Sequence, residues 1–374
     1  MYKIVEVTTK KTEKDFLKFP LALYKGNKYI VPPLLSDEAD EFNPAKNGAF
    51  EFCECRRWVA YDEKGKVVGR IAGIINRAYN EKMSVKQMRF TRFDVIDDFA
   101  VTELLFEPIK AWAKETGMNE IIGPIGFSDF DKQGMLIEGF DRLSMFITIY
   151  NYPYYVEHME KLGFGKGVDW VEYRITVPNE VPTRLKNLAD KIAERYGYNF
   201  VEIKGFKSVE QEVIDVMLTI LNEAFSHLYG VTRFNERQIK REVDMLKQVW
   251  VDDFALLVKD KDGKSVGYGF MAPSTSNALR KFNGKMNICG ILQLIHDVSH
   301  PEVVDLYSIG VLDDFRNSGV NVMILARGLE MLIKNKVKYL ETGPELETNT
   351  QVQSQWKFFE KEQHKRRRCF VKDL

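Results

Sequence analysis

The sequence predicts a mixed α/β protein, an α+β sheet with helices packed on it, written twice along one chain. Three observations carry that expectation. The chain has 374 residues, against the roughly 150 that make one domain. Apolar residues make up 45%, aromatics 12% and charged residues 29%, which is material for packed cores and excludes disorder as a description of the whole. A series of turn, strand and helix landmarks also recurs in the same order in both halves.

Met1 to Thr12 reads as a short strand running into Lys and Thr, without the apolar run of a signal peptide. Val59 to Gly73 reads as a hairpin, two apolar runs joined by Asp62-Glu63-Lys64-Gly65-Lys66. Phe93 to Phe99, with the pair Asp97-Asp98, leads into a helical stretch from Val101 to Lys114 and on to Ile121-Ile122-Gly123-Pro124. The second half repeats the series. Leu256 to Met271 turns through Asp260-Lys261-Asp262-Gly263-Lys264, and Ile309 to Phe315 holds Asp313-Asp314. A helical stretch from Val322 to Lys334 follows, then Tyr339 to Gly343-Pro344. The copies are offset by 198 at the hairpin glycines (263 minus 65), 216 at the aspartates (313 minus 97) and 220 at the Gly-Pro (343 minus 123). A few loop insertions between diverged duplicates produce such a drift. The boundary falls at Val177-Pro178-Asn179-Glu180-Val181-Pro182-Thr183, whose prolines stop strand and helix alike. The expected domains are residues 1–177 and 183–374. The second opens on a helix capped by Thr183, with Leu185, Leu188, Ala189, Ile192 and Ala193 on one stripe.

Lys plus Arg equals Asp plus Glu at 54 each, so no net field draws the protein to nucleic acid or to an anionic membrane. No stretch approaches the roughly 20 apolar residues that span a bilayer, which places the chain in the cytoplasm with no membrane partner. Cys53, Cys55, Cys289 and Cys369 are too few for a disulfide framework, and Cys53-Glu54-Cys55 lacks the spacing of a zinc site. No metal is expected.

The loop Arg316-Asn317-Ser318-Gly319-Val320-Asn321 stands between the strand Leu306 to Leu312 and the following helix. Such a loop turns successive N–H groups and the positive end of a helix toward one point, which suits a pyrophosphate. Gly319 permits positive φ and Arg316 adds charge. In this strand-turn-helix setting the motif resembles that of the GNAT superfamily of acyl-CoA N-acyltransferases, whose turn reads Gln/Arg-x-x-Gly-x-Gly/Ala. Asn321 departs from the pattern, placing a side chain where the phosphates approach. The segments Tyr29 to Leu34, Val68 to Ala72, Gly123 to Ser128 and Gly134 to Asp141 look like a bacterial family of tandem GNAT-like proteins, and that resemblance covers nearly the whole chain.

The resemblance implies acetyl-CoA or another acyl-CoA as donor substrate, bound by Val311 and by residues 316–321, and a small-molecule or peptide amine as acceptor. It implies the amide of Val311 or Leu312 as the donor to the thioester carbonyl, and Asn349 beside the pantetheine arm, on the helix that carries Trp356, Phe358 and Phe359. Trp356 is nearest the slot of the family's acid tyrosine and cannot donate as a phenol does. Glu341, at the end of the strand Val337 to Thr342, is the candidate base or amine-binding group; the alternative is a salt-bridged strand-end carboxylate. Asp305 is a weaker candidate, its alternative a strand cap.

The first half keeps the helix-to-Gly-Phe piece, Asn151 to Phe164, but Asp97 to Glu103 has neither Gly nor a basic residue and would repel a pyrophosphate. Tyr154, Tyr155, Asp129 and Asp131 either line an acceptor pocket or pack on the sheet. The tail from Lys357 holds seven Lys or Arg against three acidic residues, and His364 to Val371 reads as a charged edge strand, or else as a site for the CoA 3′-phosphate. Three functions follow: a CoA-dependent N-acyltransferase, an aminoacyl-tRNA-dependent transferase of the peptidoglycan cross-bridge type, and a non-catalytic ligand-binding module. A homodimer is compatible with all three.

Overall fold

The computed structural model describes residues 1–128, 130–224 and 228–374, without the side chains of Ala224 and Phe358. The first half supplies strands β1 (Lys3–Glu6), β2 (Cys53–Tyr61), β3 (Val67–Asn76), β4 (Gln87–Val95), β5 (Glu120–Gly123), β6 (Met135–Glu138) and β7 (Gly165–Thr176). The second supplies β8 (Asn199–Phe200), β9 (Ala255–Lys259), β10 (Ser265–Pro273), β11 (Val303–Val311), β12 (Tyr339–Thr342), β13 (Glu345–Leu346) and β14 (Lys361–Asp373). All belong to one mixed sheet in the order β1-β2-β3-β4-β5-β14-β7-β12-β11-β10-β9-β8, with β6 beside β14 and β13 beside β7.

Local chemistry explains the repeated elements. Both hairpins close the same way: Asp62 N donates to Lys66 O and Asp260 N to Lys264 O, while Gly65 and Gly263 take φ of 74° and 82°. Asp98 caps the helix Phe99–Glu115 through Ala100 N, and Val101, Leu105, Ile109 and Trp112 form its buried stripe against the sheet. The helix Val320–Lys334 buries Val320, Met323 and Ile324 in the same way. Each such side chain contributes about 1.5–3 kcal/mol on burial. The helix Thr183–Tyr196 forms where expected, but Pro182 takes the cap position without a side-chain bond, and Leu188 on the expected stripe is 46% exposed.

The tail is not an edge strand. β14 lies at the middle of the sheet, antiparallel to β5 on one side (Phe370 opposite Gly123) and to β7 on the other (Arg367 opposite Trp170). β7 in turn pairs with β12, Leu340 opposite Ile175. The last strand of the second half therefore completes the first half's sheet, and the last strand of the first half completes the second's. The tail's charges enter the sheet with partners: Arg367 bonds to Glu172, Lys365 lies 3.4 Å from the same carboxylate, and Arg368 Nε donates to Asp169 at 2.8 Å. Among the described residues no helix is long and apolar enough to cross a membrane.

Candidate functional site

The central strands of the second half part company. β11 and β12 run parallel for four rungs, Val303 opposite Tyr339 to Leu306 opposite Thr342, and the last contact is Gly343 N to Leu306 O at 3.2 Å. Pro344 has no N–H to continue the ladder. On its other side β11 bulges at Tyr307: Phe270 faces Ser308 while Met271 faces Leu306. Bulges of this kind re-aim side chains beside functional sites. Between the diverging strands lies a cavity of about 300 Å³, walled by Tyr307, Ser308 and Ile309 on one side and by Thr342 to Leu346 with Asn349 on the other. Phe130, Phe146 and Trp170 of the first half close it.

The register selects one of the two expected amides. Leu312 N donates to Val266 O at 3.0 Å, so it is already committed. Gly267 opposite Val311 is then the next, non-bonded pair of the antiparallel ladder, which points the Val311 N–H away from β10 and into the opening.

Beyond Val311 the loop residues make a tight turn into the helix Val320–Lys334. Asn317 and Gly319 take φ of 69° and 88°, and the Val320 and Asn321 amides, in the first turn of the helix Val320–Lys334, have no protein acceptor among the described residues. The Ser318 hydroxyl donates to Phe315 O at 2.7 Å, which fixes the turn. Two features differ from the expectation. Arg316 lies 2.8 Å from Asp313, so part of its charge is met within the loop. A Cβ at Gly319 would collide with Ile192 of the helix Thr183–Tyr196, so glycine is required there by packing as well as by φ.

The structure does not bring Glu341 to this cavity. Its carboxylate accepts from Arg174 Nε at 2.9 Å and lies 3.7 Å from Lys365, inside a buried ion network with Glu172 and Arg367. Asp305, in register with Glu341, is fully buried; burial and then Glu341 push its carboxyl up to about 8. Asn349 does reach the cavity wall and caps its helix through Val352 N at 3.4 Å.

Glu345, which the sequence reading passed over, lines the cavity wall together with Asp131 and Glu242, and its register opposite Val171 turns its side chain toward Trp356. Burial pushes its carboxyl up to about 7. Trp356 Nε1 donates to its Oε1 at 2.8 Å, while the buried Oε2 makes no hydrogen bond of good geometry, and the Thr342 side chain together with Trp356 holds the carboxyl back from a higher value. Trp356 thus orients the carboxylate from the slot where a phenol was sought. The available signal was its position: Glu345 follows the Gly343-Pro344 landmark, where the chain leaves the parallel ladder.

The first half keeps this geometry and fills it. β4 and β5 are parallel for three rungs, then Ile125 N donates to Phe90 O at 2.9 Å. Val95 stands 216 residues before Val311, and its N–H is taken by the Tyr155 hydroxyl at 2.9 Å, while the Tyr154 hydroxyl donates to Val95 O at 2.7 Å. Tyr24 in turn bonds to Asp94 at 2.9 Å and to Tyr155 at 3.0 Å. These bonds hold both tyrosines on the sheet, and Tyr155 also lines a small first-half cavity of about 50 Å³ with Tyr24 and Asp94. Asp131 accepts from Ser128 N at 2.8 Å and borders the cavity of the second half; Asp129 lies outside the described residues.

No family model matches the chain. It is 28% identical over 370 residues to Protein YghO of Escherichia coli, covering 96% of this chain and 93% of that one. It is 25% identical over 295 residues to the bacterial ceramide synthase of Caulobacter vibrioides, covering 78% and 75%. Among solved structures it is similar to a tandem GNAT protein from the clavulanic acid biosynthesis pathway, with TM-score 0.53, 13% identity and coverage of 100% and 98%. It is also similar to the glucosamine N-acetyltransferase region of a fungal multi-domain enzyme, with TM-score 0.59, 13% identity and coverage of 100% of this chain and 38% of that one. The chain therefore has the fold of the GCN5-related N-acetyltransferases, in tandem.

Proposed function

We propose that the protein is an N-acyltransferase carrying an acyl group from acyl-CoA to an amine, with the donor held by the second half. The observation that supports this reading is the gap that opens between β11 and β12 past Leu306, with a cavity bordered by Tyr307 to Ile309 and by Glu345, and with the Val311 N–H further along β11 turned away from β10. The Val320 and Asn321 amides and the Arg316 guanidinium, at the end of the same strand, suit a pyrophosphate. The Val311 N–H suits the developing charge on a thioester oxygen.

In this reading Glu345 takes the proton that the amine nitrogen sheds as it bonds to the thioester carbon. The carbon–sulfur bond then breaks and the CoA thiolate leaves, and the proton held by Glu345 is available to it. Glu341 keeps the sheet together rather than reacting, and Asn349 lines the path beside the cavity. Residues 1–177 serve as a second copy of the unit that walls the cavity instead of binding a donor.

A cavity of about 300 Å³ with phenylalanine and leucine walls exceeds what an acetyl group fills, so the reading extends to an acyl chain or acceptor with a long apolar part. The relative named bacterial ceramide synthase points to the same class. Thermal unfolding with free CoA, acetyl-CoA and long-chain acyl-CoAs tests this. Stabilisation of about 2–3 kcal/mol is expected near a hundredfold excess over the dissociation constant, largest for a long chain and weakened in Arg316→Glu. No stabilisation by any CoA species would overturn the reading in favour of a module without a CoA donor.

A further inference from the structure

Between β10 and β11 the chain makes a helical hairpin, Ser276–Phe282 and Ile288–Ser299, where the first half has only the short helix Arg77–Met83 between β3 and β4. The offset between the copies grows from 198 to 216 in the segment that contains it. The hairpin is held to the body of the protein by Gly284, packed on Leu21 and Leu35, and by Leu35 N donating to Gly284 O at 2.9 Å.

Its second helix is turned inside out. Ile288, Leu292 and Ile295 are 76%, 62% and 59% exposed, with Met286, Ile291 and Val298 beside them. The inward side carries Gly290 against Phe282, and Gln293, whose Nε2 donates to Asp297 at 2.6 Å. A helix that met only water would show the opposite arrangement. Six apolar side chains at this spacing expose on the order of 600 Å², at the top of the range for a single patch on a monomer. That is below the roughly 800 Å² per partner of a stable dimer. Arg280, Lys281 and Lys285 stand exposed at one end of the stripe, with Lys281 Nζ donating to Gln293 Oε1 at 2.6 Å, and Asp297 is the single acidic residue from 276 to 301. The helix is 12 residues, about 18 Å long at 1.5 Å per residue, too short to cross a bilayer.

We propose that this hairpin docks the protein on an anionic lipid bilayer, with Ile288–Ser299 lying in the interface, apolar face down, and Arg280, Lys281 and Lys285 against the headgroups. This docking needs no acyl transfer and stands apart from the reading of the cavity. The test is flotation of the full chain with vesicles of phosphatidylcholine alone and with about one-third phosphatidylglycerol, alongside light scattering for mass. The wild type is expected to float with the anionic vesicles, at least tenfold less with the neutral ones, and as a monomer in their absence. Leu292→Asp with Ile295→Asp is expected to abolish flotation at unchanged melting temperature, and Arg280→Glu with Lys281→Glu and Lys285→Glu to reduce it at least tenfold. A wild type that stays with the protein fraction in every composition would overturn the proposal. So would a wild-type dimer that the Leu292→Asp, Ile295→Asp variant dissociates, since the face would then be an interface between copies.

Discussion

At the scale of residues, the proposed site turns on a carboxylate, a tryptophan and an amide. If Glu345 is the base, only its ionised form works, so the rate should rise about tenfold per pH unit below about 7 and level off above it. Glu345→Gln is expected to lose that limb and about two to four orders of magnitude in kcat. The Trp356 indole bonds to the carboxylate and favours its ionised form. Trp356→Phe should therefore move the limb to higher pH while leaving most of the plateau rate, a split that a purely structural tryptophan would not produce. The same residues show what a sequence can and cannot announce. The turn from Arg316 to Asn321 was legible as an element because a strand, a turn and a helix leave a local signature. Glu345 was not, because its environment is made by burial and by an indole eleven positions away. Glu341 was misleading for the converse reason: a carboxylate at a strand end looks free until Arg174, on a strand 167 positions away in sequence, is brought beside it.

At the scale of elements, β7 and β14 decide the architecture. The repeated hairpins, helices and Gly-Pro turns were readable because each is built from neighbours in sequence. The exchange of last strands was not, since pairing β14 with β5 joins residues some 250 positions apart in the chain. His364 to Val371 looked like an edge because three consecutive arginines suggest solvent. In the sheet Lys365 and Arg367 are instead buried against Glu172. Removing one member of such a network strands the others, so Lys365→Met is expected to destabilise by about 3–5 kcal/mol in chemical denaturation. The turn before the helix Val320–Lys334 carries a second element-level expectation. Gly319→Ala meets both a φ of 88° and the Ile192 side chain, and should lower stability by about 1–3 kcal/mol and displace the helix Thr183–Tyr196.

At the scale of the whole molecule, one sheet shared by both halves means that neither half has a complete strand set of its own. The full chain is expected to unfold in a single transition, and deletion of residues 361–374 to cost the fold of both halves, seen as loss of the melting transition in calorimetry. Buried titratable groups then set the response to pH. The Asp305 carboxyl is raised to about 8 in the folded state against 3.8 for its ordinary value. The folded protein therefore holds a proton there that the unfolded chain releases, and stability falls as pH rises from about 4 to about 8. His364, held down to about 4 by burial and Lys365, acts in the other direction, losing its contribution as pH falls below 6.5 toward 4. Asp305→Asn should accordingly melt higher than wild type at pH 8.5 and nearly level with it at pH 5. The most direct measurement of the central claim is a crystal structure with a non-hydrolysable long-chain acyl-CoA. The expected result is a pyrophosphate on the Val320 and Asn321 amides, the acyl carbonyl oxygen on the Val311 N–H and the chain in the cavity beside Glu345. A ligand bound in the first half beside Val95, or at neither site under saturating conditions, would contradict it.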